Sequence, residues 1–167
     1  TNLTLHLIAM AAAAGIQISW HDMDEISRMV PLLARVYPNG QADVNHFEHA
    51  GGLAFLVNQL RSKGLLNEEV VNVMGEGLDA YASKPEIDPQ GTLFWGSTIT
   101  ENGDDTILST VDKPFAAEGG MRTVTGNIGT GVVKISAVDE AYQVIEAPCT
   151  IFETHEALKN AFDAGAL

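Results

Sequence analysis

The sequence predicts an α+β protein in which a helical half is followed by a β-rich half. Apolar residues recur at helical spacing through residues 1–80. Proline, glycine, asparagine and aspartate then become frequent in residues 81–106, and β-branched and apolar runs at strand spacing follow in residues 107–167. We therefore predict a helical section, a linker or long surface loop, and a β-rich section, in that order.

The first two helices are predicted from their start and stop signals. An apolar helix runs to Ala14, and Gly15 closes it because glycine readily adopts the left-handed conformation of a helix C-terminus. Ser19 and Asp22 have the spacing of a capping box at the start of a second helix. Pro31 is expected to end or bend that helix, because proline has no backbone N–H.

The rest of the helical half is predicted from apolar stripes and glycines. A third helix should begin at about Asn45, contain Gly51-Gly52 and end at Gly64. Asn67 is expected to cap a short helix through Val73.

Three strands and a final helix are predicted in the β-rich half. The glycine-rich residues 126–131 lie between two of the strands and lack the Lys-Ser/Thr of a Walker loop, so a hairpin connection is favoured over a phosphate loop. Thr154 should cap the final helix, over residues 156–164. The predicted strands are Met121 to Thr125, Val132 to Ser136 and Val144 to Phe152.

The charge balance excludes several classes of partner. Nine Lys and Arg face 22 Asp and Glu, a net charge of −13. This balance disfavours nucleic acid and anionic membranes, and a phosphorylated substrate would need locally concentrated cations. With 46% hydrophobic residues, no secretion signal and no run long enough to span a bilayer, a cytoplasmic globular protein is predicted. The chain starts at Thr1 and ends just past a helix stop signal, so we expect a fragment of a longer protein.

Side-chain chemistry alone identifies no strong site. His46 and His49 share a helix face with Asp43 one turn before, but no third metal ligand is evident, so we predict no metal there. Cys149 is the only cysteine, which excludes an intrachain disulfide and a cysteine-ligated metal cluster built by this chain alone. Lys134 either reaches solvent from a strand edge or faces a polar cavity, and both interpretations stay open.

Several stretches, taken in order, resemble the dihydroxy-acid and sugar-acid dehydratase family, and together they cover essentially the whole chain. They are Thr1-Asn2-Leu3-Thr4-Leu5-His6-Leu7, Ile26-Ser27-Arg28 with Pro31-Leu32-Leu33-Ala34, His49-Ala50-Gly51-Gly52, Gly64-Leu65-Leu66, Gly119-Gly120, Gly126-Asn127, Val133-Lys134, and Phe152-Glu153 with Ala161-Phe162-Asp163-Ala164-Gly165. Within the family, two further stretches are similar to the 6-phosphogluconate dehydratase branch. These are Tyr37-Pro38-Asn39-Gly40 continuing to Phe47, and Gln143 to Pro148.

The resemblance implies a fold and an activity for the longer protein. The fold would be the helical end of an α/β domain followed by the first strands of a swivelling β-barrel-like domain. The activity would be loss of water from 6-phosphogluconate, giving 2-keto-3-deoxy-6-phosphogluconate in the Entner–Doudoroff pathway. The family also implies an iron–sulfur cluster of the 4Fe-4S type, a divalent cation in some members, and a homodimer.

The same resemblance implies that this fragment lacks the catalytic core. The family's cluster cysteines and acidic ligands precede Thr1-Asn2, and the serine proposed as base lies beyond the last residue, so no catalytic residue is assigned and the fragment is expected to be inactive. Asn2, His46, His49 and Lys134 are predicted to border the active cleft. The alternatives are a dihydroxy-acid dehydratase of branched-chain amino-acid synthesis, another sugar-acid dehydratase, or a non-catalytic binding module. A small metal hydrolase using the two histidines is disfavoured by its missing ligands.

Overall fold

The computed structural model describes residues 2–167, which form a mixture of helices and small antiparallel sheets. The helices are α1 (Asn2–Ala13), α2 (Trp20–Met29), α3 (Val44–His49), α4 (Gly52–Ser62) and α5 (His155–Asp163). The strands form three hairpins, β1 (Val71–Asn72) with β2 (Gly75–Glu76), β3 (Ser83–Ile87) with β4 (Leu93–Thr98), and β5 (Arg122–Gly126) with β6 (Gly129–Val133). Within the described residues, no helix is long and apolar enough to cross a membrane.

The helix boundaries that depend on local signals are confirmed. Gly15 follows α1 with a φ of +76°, and Gly64 follows α4 with a φ of +65°. Ser19 and Asp22 form the predicted capping box, and α2 ends at Met29, before Pro31. In each case the hydrogen-bonding or conformational requirement lies within a few residues of the signal, so the sequence is sufficient to predict it.

Gly51 and Gly52 separate two helices, so the prediction that they lie inside one helix is wrong. α3 ends at His49 and α4 begins at Gly52, with φ values of +129° at Gly51 and +60° at Gly52. A Cβ at Gly51 would lie 2.8 Å from the Cβ of Phe55. The two glycines therefore permit a sharp change of direction that residues with side chains rarely adopt.

This change of direction places α4 against the core. Phe55 and Leu108 are the largest fully buried side chains, and they cluster with Ala50 and Ile107. The core also contacts the extended residues 32–36, where Ala34 is bridged to Leu108. The helical half and the residues that follow the predicted linker thus share one hydrophobic cluster.

The hairpin β3–β4 lies inside residues 81–106, and the prediction of a linker or loop is wrong for these strands. Ile87 pairs with Leu93, and Asp88 closes the turn because its Oδ1 accepts the backbone N–H groups of Gln90 (2.9 Å) and Thr92 (2.8 Å). Pro85 is tolerated because each strand of a two-stranded sheet is an edge strand, with one side free of ladder bonds. The division of the chain into domains stays a prediction.

Two further predicted elements differ from the structure. Residues 67–70 are irregular and residues 71–72 form the short strand β1, instead of a helix. Asn67 Oδ1 accepts the Glu69 N–H at 3.0 Å. Residues 144–152 are irregular instead of a strand, and all of them except the half-buried Phe152 are exposed. Among the described residues no neighbouring strand pairs with them, and an extended segment needs such a partner to satisfy its backbone.

The predicted hairpin of the β-rich half is present with a shifted second strand. β5 pairs with β6 from Arg122↔Val133 to Gly126↔Gly129, so residues 126–131 form the turn and the start of β6. β6 ends at Val133, and residues 135–137 form a 3-10 helix where the sequence predicted strand. Thr154 caps α5 by accepting the Ala157 N–H at 3.1 Å, as predicted.

Asp24 joins α2 to β5. Its side chain is buried, and its Oδ1 accepts the backbone N–H of Thr123 at 2.8 Å while its Oδ2 accepts Arg28 Nε at 2.7 Å. The Thr123 hydroxyl in turn donates to the Trp20 carbonyl at 3.1 Å. The Thr123 N–H, followed by the Arg28 side chain, holds the pKa of Asp24 below its ordinary value of 3.8.

We expect Asp24→Asn to reduce the stability of the chain at pH 7 and to reduce the loss of stability on acidification. Because the pKa of Asp24 is lowered in the folded state, its stabilisation is present above the ordinary pKa of 3.8 and disappears as the pH falls through the folded-state pKa. Urea unfolding between neutral and acidic pH measures this, and the difference between wild type and variant should shrink as the pH falls.

Glu25→Gln is the matched control, because it removes a carboxylate from the adjacent, exposed position of the same helix. We expect the free energy of unfolding of Glu25→Gln, plotted against pH, to run parallel to that of the wild type. A difference between Asp24→Asn and wild type that stays constant with pH would contradict the role given to the charged form. The wild type should still lose stability in acid, since three other carboxylates have lowered pKa values: Asp22, Asp43 and Asp104.

Candidate functional site

The four residues predicted to border an active cleft lie on three separate elements. Asn2 is exposed at the start of α1, His46 and His49 are exposed on α3, and Lys134 is half-buried between β6 and the following 3-10 helix. Of the four, only His46 lines either of the two clefts described below.

His46 and Asp43 form a reciprocal cap at the start of α3. Asp43 Oδ1 accepts the backbone N–H groups of Asn45 (2.9 Å) and His46 (3.0 Å). His46 Nδ1 lies 3.2 Å from the Asp43 backbone nitrogen and 2.8 Å from Asp43 Oδ1, so the ring is held against Asp43. The first of the groups that lower the pKa of Asp43 is the His46 backbone N–H.

Arg35 is a cleft residue that the sequence analysis did not identify. It lies on the extended residues 32–36, its backbone N–H donates to the Ile107 carbonyl at 2.8 Å, and its guanidinium carbon lies 4.4 Å from the centroid of the Phe115 ring. The backbone at Gly40 returns so closely that a Cβ there would be 2.6 Å from the Arg35 carbonyl oxygen. The chain therefore folds the Tyr37-Pro38-Asn39-Gly40 turn back onto Arg35.

Two clefts meet at Arg35 and Asn39. The first, which we call the Arg35–His46 cleft, has a volume of about 480 Å³ and is also lined by Gln41, His46 and Thr106. The second, the Arg35–Arg122 cleft, has a volume of about 510 Å³. Its other lining residues include Arg122, Ser136, Glu118 and Glu140.

The two clefts differ in charge. No carboxylate lines the Arg35–His46 cleft. Two carboxylates, Glu118 and Glu140, line the Arg35–Arg122 cleft, and Glu118 forms an ion pair with the Arg122 guanidinium. The nearby Asp104 is not among the lining residues. Its Oδ1 accepts the Thr106 N–H (2.9 Å) and hydroxyl (2.6 Å), which hold the pKa of Asp104 below its ordinary value. The Arg35–His46 cleft is therefore the better site for an anion.

Comparison with known proteins assigns the chain to one family. Residues 1–81 match the family described as "Dihydroxy-acid/6-phosphogluconate dehydratase N-terminal", and residues 106–167 match "Dihydroxy-acid/6-phosphogluconate dehydratase C-terminal". The chain belongs to the dihydroxy-acid/6-phosphogluconate dehydratase family.

Individual relatives agree with this assignment to the dehydratase family. Proteins named phosphogluconate dehydratase from Pseudomonas aeruginosa, Rhizobium meliloti and Escherichia coli are 53%, 51% and 46% identical over 167 residues, which is all of this chain. A dihydroxy-acid dehydratase from Natronomonas pharaonis is 32% identical over 158 residues, 93% of this chain. The chain spans 27–28% of the length of the first three relatives and 25% of the fourth.

The residues of this dehydratase segment do not fit the iron–sulfur cluster that the resemblance implies. Such clusters are held by several cysteine thiolates, and the sequence contains one cysteine, Cys149, which is exposed. Among residues 2–167, no group of three or more His, Cys, Asp and Glu residues is arranged to hold a metal ion. We therefore assign no cofactor contact to any residue of the chain.

Proposed function

We propose that the longer protein containing this segment removes water from 6-phosphogluconate and forms 2-keto-3-deoxy-6-phosphogluconate. The observation that carries the proposal is the identity to relatives named phosphogluconate dehydratase, which is 39–53% over 97–100% of the chain, against 32% for a dihydroxy-acid dehydratase. This difference favours the phosphorylated sugar acid over the branched-chain dihydroxy acid as substrate.

The proposed reaction sets requirements that the segment meets only in part. Hydroxide is a poor leaving group and the C2 proton is weakly acidic, so a Lewis acid, a positioned base and a cation near the carboxylate are needed. We propose that an iron–sulfur cluster in the longer protein supplies the Lewis acid, on residues that this segment does not contain. The segment can meet one of these requirements, the recognition of an anion. The Arg35–His46 cleft of the segment brings a cation and neutral hydrogen-bond donors together.

Exposed apolar residues support a larger assembly for the segment. Leu3 and Met10 on α1 are 70% and 66% exposed, and Val144 and Ile151 in the irregular C-terminal stretch are 89% and 86% exposed. Apolar surface of this extent usually contacts other protein. We propose that the rest of the longer protein covers it, within a cytoplasmic homodimer whose second domain is a swivelling β-barrel that begins with β5 and β6.

The test compares the longer protein with the 167-residue chain. After anaerobic cluster reconstitution, we expect the longer protein to form a keto acid from 6-phosphogluconate, and the chain alone to remain colourless and inactive. Faster turnover of a branched-chain dihydroxy acid by the longer protein would favour the alternative dehydratase. Turnover by the 167-residue chain would show that it holds the catalytic groups after all.

A further inference from the structure

We propose that Arg35 and the neutral donors of the Arg35–His46 cleft bind the phosphate group of the substrate. This inference rests on the proposed function, because it assigns one end of the sugar-acid phosphate to a particular place on the segment. It follows from the unpaired charge of Arg35, from the donors beside it and from the absence of carboxylates in the lining.

Arg35 differs from the other arginines in having no carboxylate partner among the described residues. Six of the nine cations form ion pairs, and they include the other three arginines. Arg28 pairs with Asp24, Arg61 with Glu68 and Asp79, and Arg122 with Glu118. In a chain with 22 carboxylate residues, a guanidinium without such a partner is available for an external anion.

Phe115 orients the Arg35 guanidinium without occupying its hydrogen-bonding edge. The ring covers one face of the planar group at 4.4 Å, whereas the N–H bonds point outward in the plane. Two parallel N–H groups match two oxygens of a phosphate, which lysine cannot do with a single ammonium. A stacked arginine is thus partly preorganised for phosphate.

Asn39 and His46 place further polar groups on the same cleft. The Asn39 Oδ1 accepts the Ser136 hydroxyl at 3.0 Å, so its amide nitrogen is the group left for a ligand. The His46 ring has Nδ1 engaged with Asp43, which leaves Nε2 for the cleft. Gln41 is exposed and adds a second neutral amide side chain able to donate.

The phosphate is a better match than the carboxylate of the same substrate. Water is lost at C2 and C3, next to the carboxylate, so the carboxylate must lie near the Lewis acid and the base. The end of the substrate remote from C2 and C3 can be bound by a segment that supplies no cluster ligand. That end carries the phosphate.

The experiment replaces Arg35 in the full-length protein with its cofactor bound. We expect Arg35→Gln to raise the KM for 6-phosphogluconate and the inhibition constant of inorganic phosphate by about 10- to 100-fold, the range for lost charge-assisted hydrogen bonds. Arg35→Lys should show a smaller increase in both constants, because lysine keeps the positive charge but lacks the two parallel N–H donors of the guanidinium. Binding of gluconate, which has the carboxylate but no phosphate, should stay within about twofold because it does not use Arg35.

Lys159→Gln is the matched control, since it removes one positive charge from an exposed ion pair on α5. We expect it to leave all of these constants unchanged. Unaltered phosphate inhibition in Arg35→Gln would overturn the proposal, and equal weakening of gluconate and 6-phosphogluconate would assign Arg35 to the carboxylate instead. If the wild type fails to dehydrate 6-phosphogluconate, the proposed function fails, while calorimetric titration with inorganic phosphate still decides whether Arg35 binds it.

Discussion

Phe55→Ala is expected to lower the free energy of unfolding of the chain by about 3–5 kcal/mol, the usual range for removing a buried aromatic side chain. Phe55 is fully buried, and it packs with Leu108 and Ile107 where α4 meets the residues after the β3–β4 hairpin. The side chain therefore holds together parts of the chain that are about 50 residues apart, so the cavity cannot be closed by a local adjustment. Urea unfolding followed by circular dichroism measures the loss.

Phe162→Ala provides the control, because it makes the same substitution at a side chain that is 71% exposed on α5. We expect its free energy of unfolding to stay within about 0.5 kcal/mol of the wild type, as for most surface substitutions. Equal losses in the two variants would mean that the cluster around Phe55 does not dominate the stability of the chain.

Gly119→Ala is expected to cost about 1–3 kcal/mol through overpacking. The backbone N–H of Gly119 donates to the Ser27 carbonyl at 2.5 Å, which brings this segment against the end of α2. A Cβ would lie 2.8 Å from Ser27 Oγ, 2.9 Å from Ser27 O and 3.2 Å from Val30 O. Two of these atoms belong to the backbone and cannot rotate away, so α2 and residues 119–123 would have to separate.

Gly126→Ala is the matched control for this position. A Cβ at Gly126 meets no atom within 4 Å, and its φ is not in the left-handed region, so alanine should change the stability by less than about 1 kcal/mol. The two variants can be compared by thermal unfolding at pH 7. A Gly119→Ala protein as stable as the wild type would show that the contact between α2 and residue 119 is looser than the structure indicates.

The sequence predicted the features that depend on hydrogen bonds between near neighbours. The Ser19–Asp22 capping box, the cap at Thr154 and the turn between β5 and β6 are closed by groups within five residues of one another. Such features have the same cause in a peptide as in a folded protein, so residue type and spacing are sufficient to identify them. The resemblance to the dehydratase family also followed from short sequence motifs, and the comparisons with known proteins confirm the family.

The candidate site depends on contacts that the sequence does not reveal. The sequence analysis named His46 as a polar residue on a family-like segment that would border the active cleft. In the structure His46 lines the Arg35–His46 cleft, and its place at the active cleft stays a prediction. Arg35 was missed because nothing in the sequence distinguishes it from the paired arginines. Two features that depend on distant parts of the chain decide the environment of Arg35. The Phe115 ring stacks on its guanidinium, and no carboxylate among the described residues forms an ion pair with it.

By itself, the sequence determined where α1 and α2 end, how α2 and α5 are capped, the net charge of −13 and the membership of the dehydratase family. Only the tertiary structure decided that Gly51 and Gly52 divide a helix, that residues 83–98 pair as a hairpin and that residues 144–152 do not form a strand. The physical reason is the same in each case. A break in a helix is stable only when the burial of apolar side chains, such as Phe55, compensates for the lost helical hydrogen bonds. A strand is stable only when another segment forms hydrogen bonds with it. Both conditions depend on residues that lie far away in the chain.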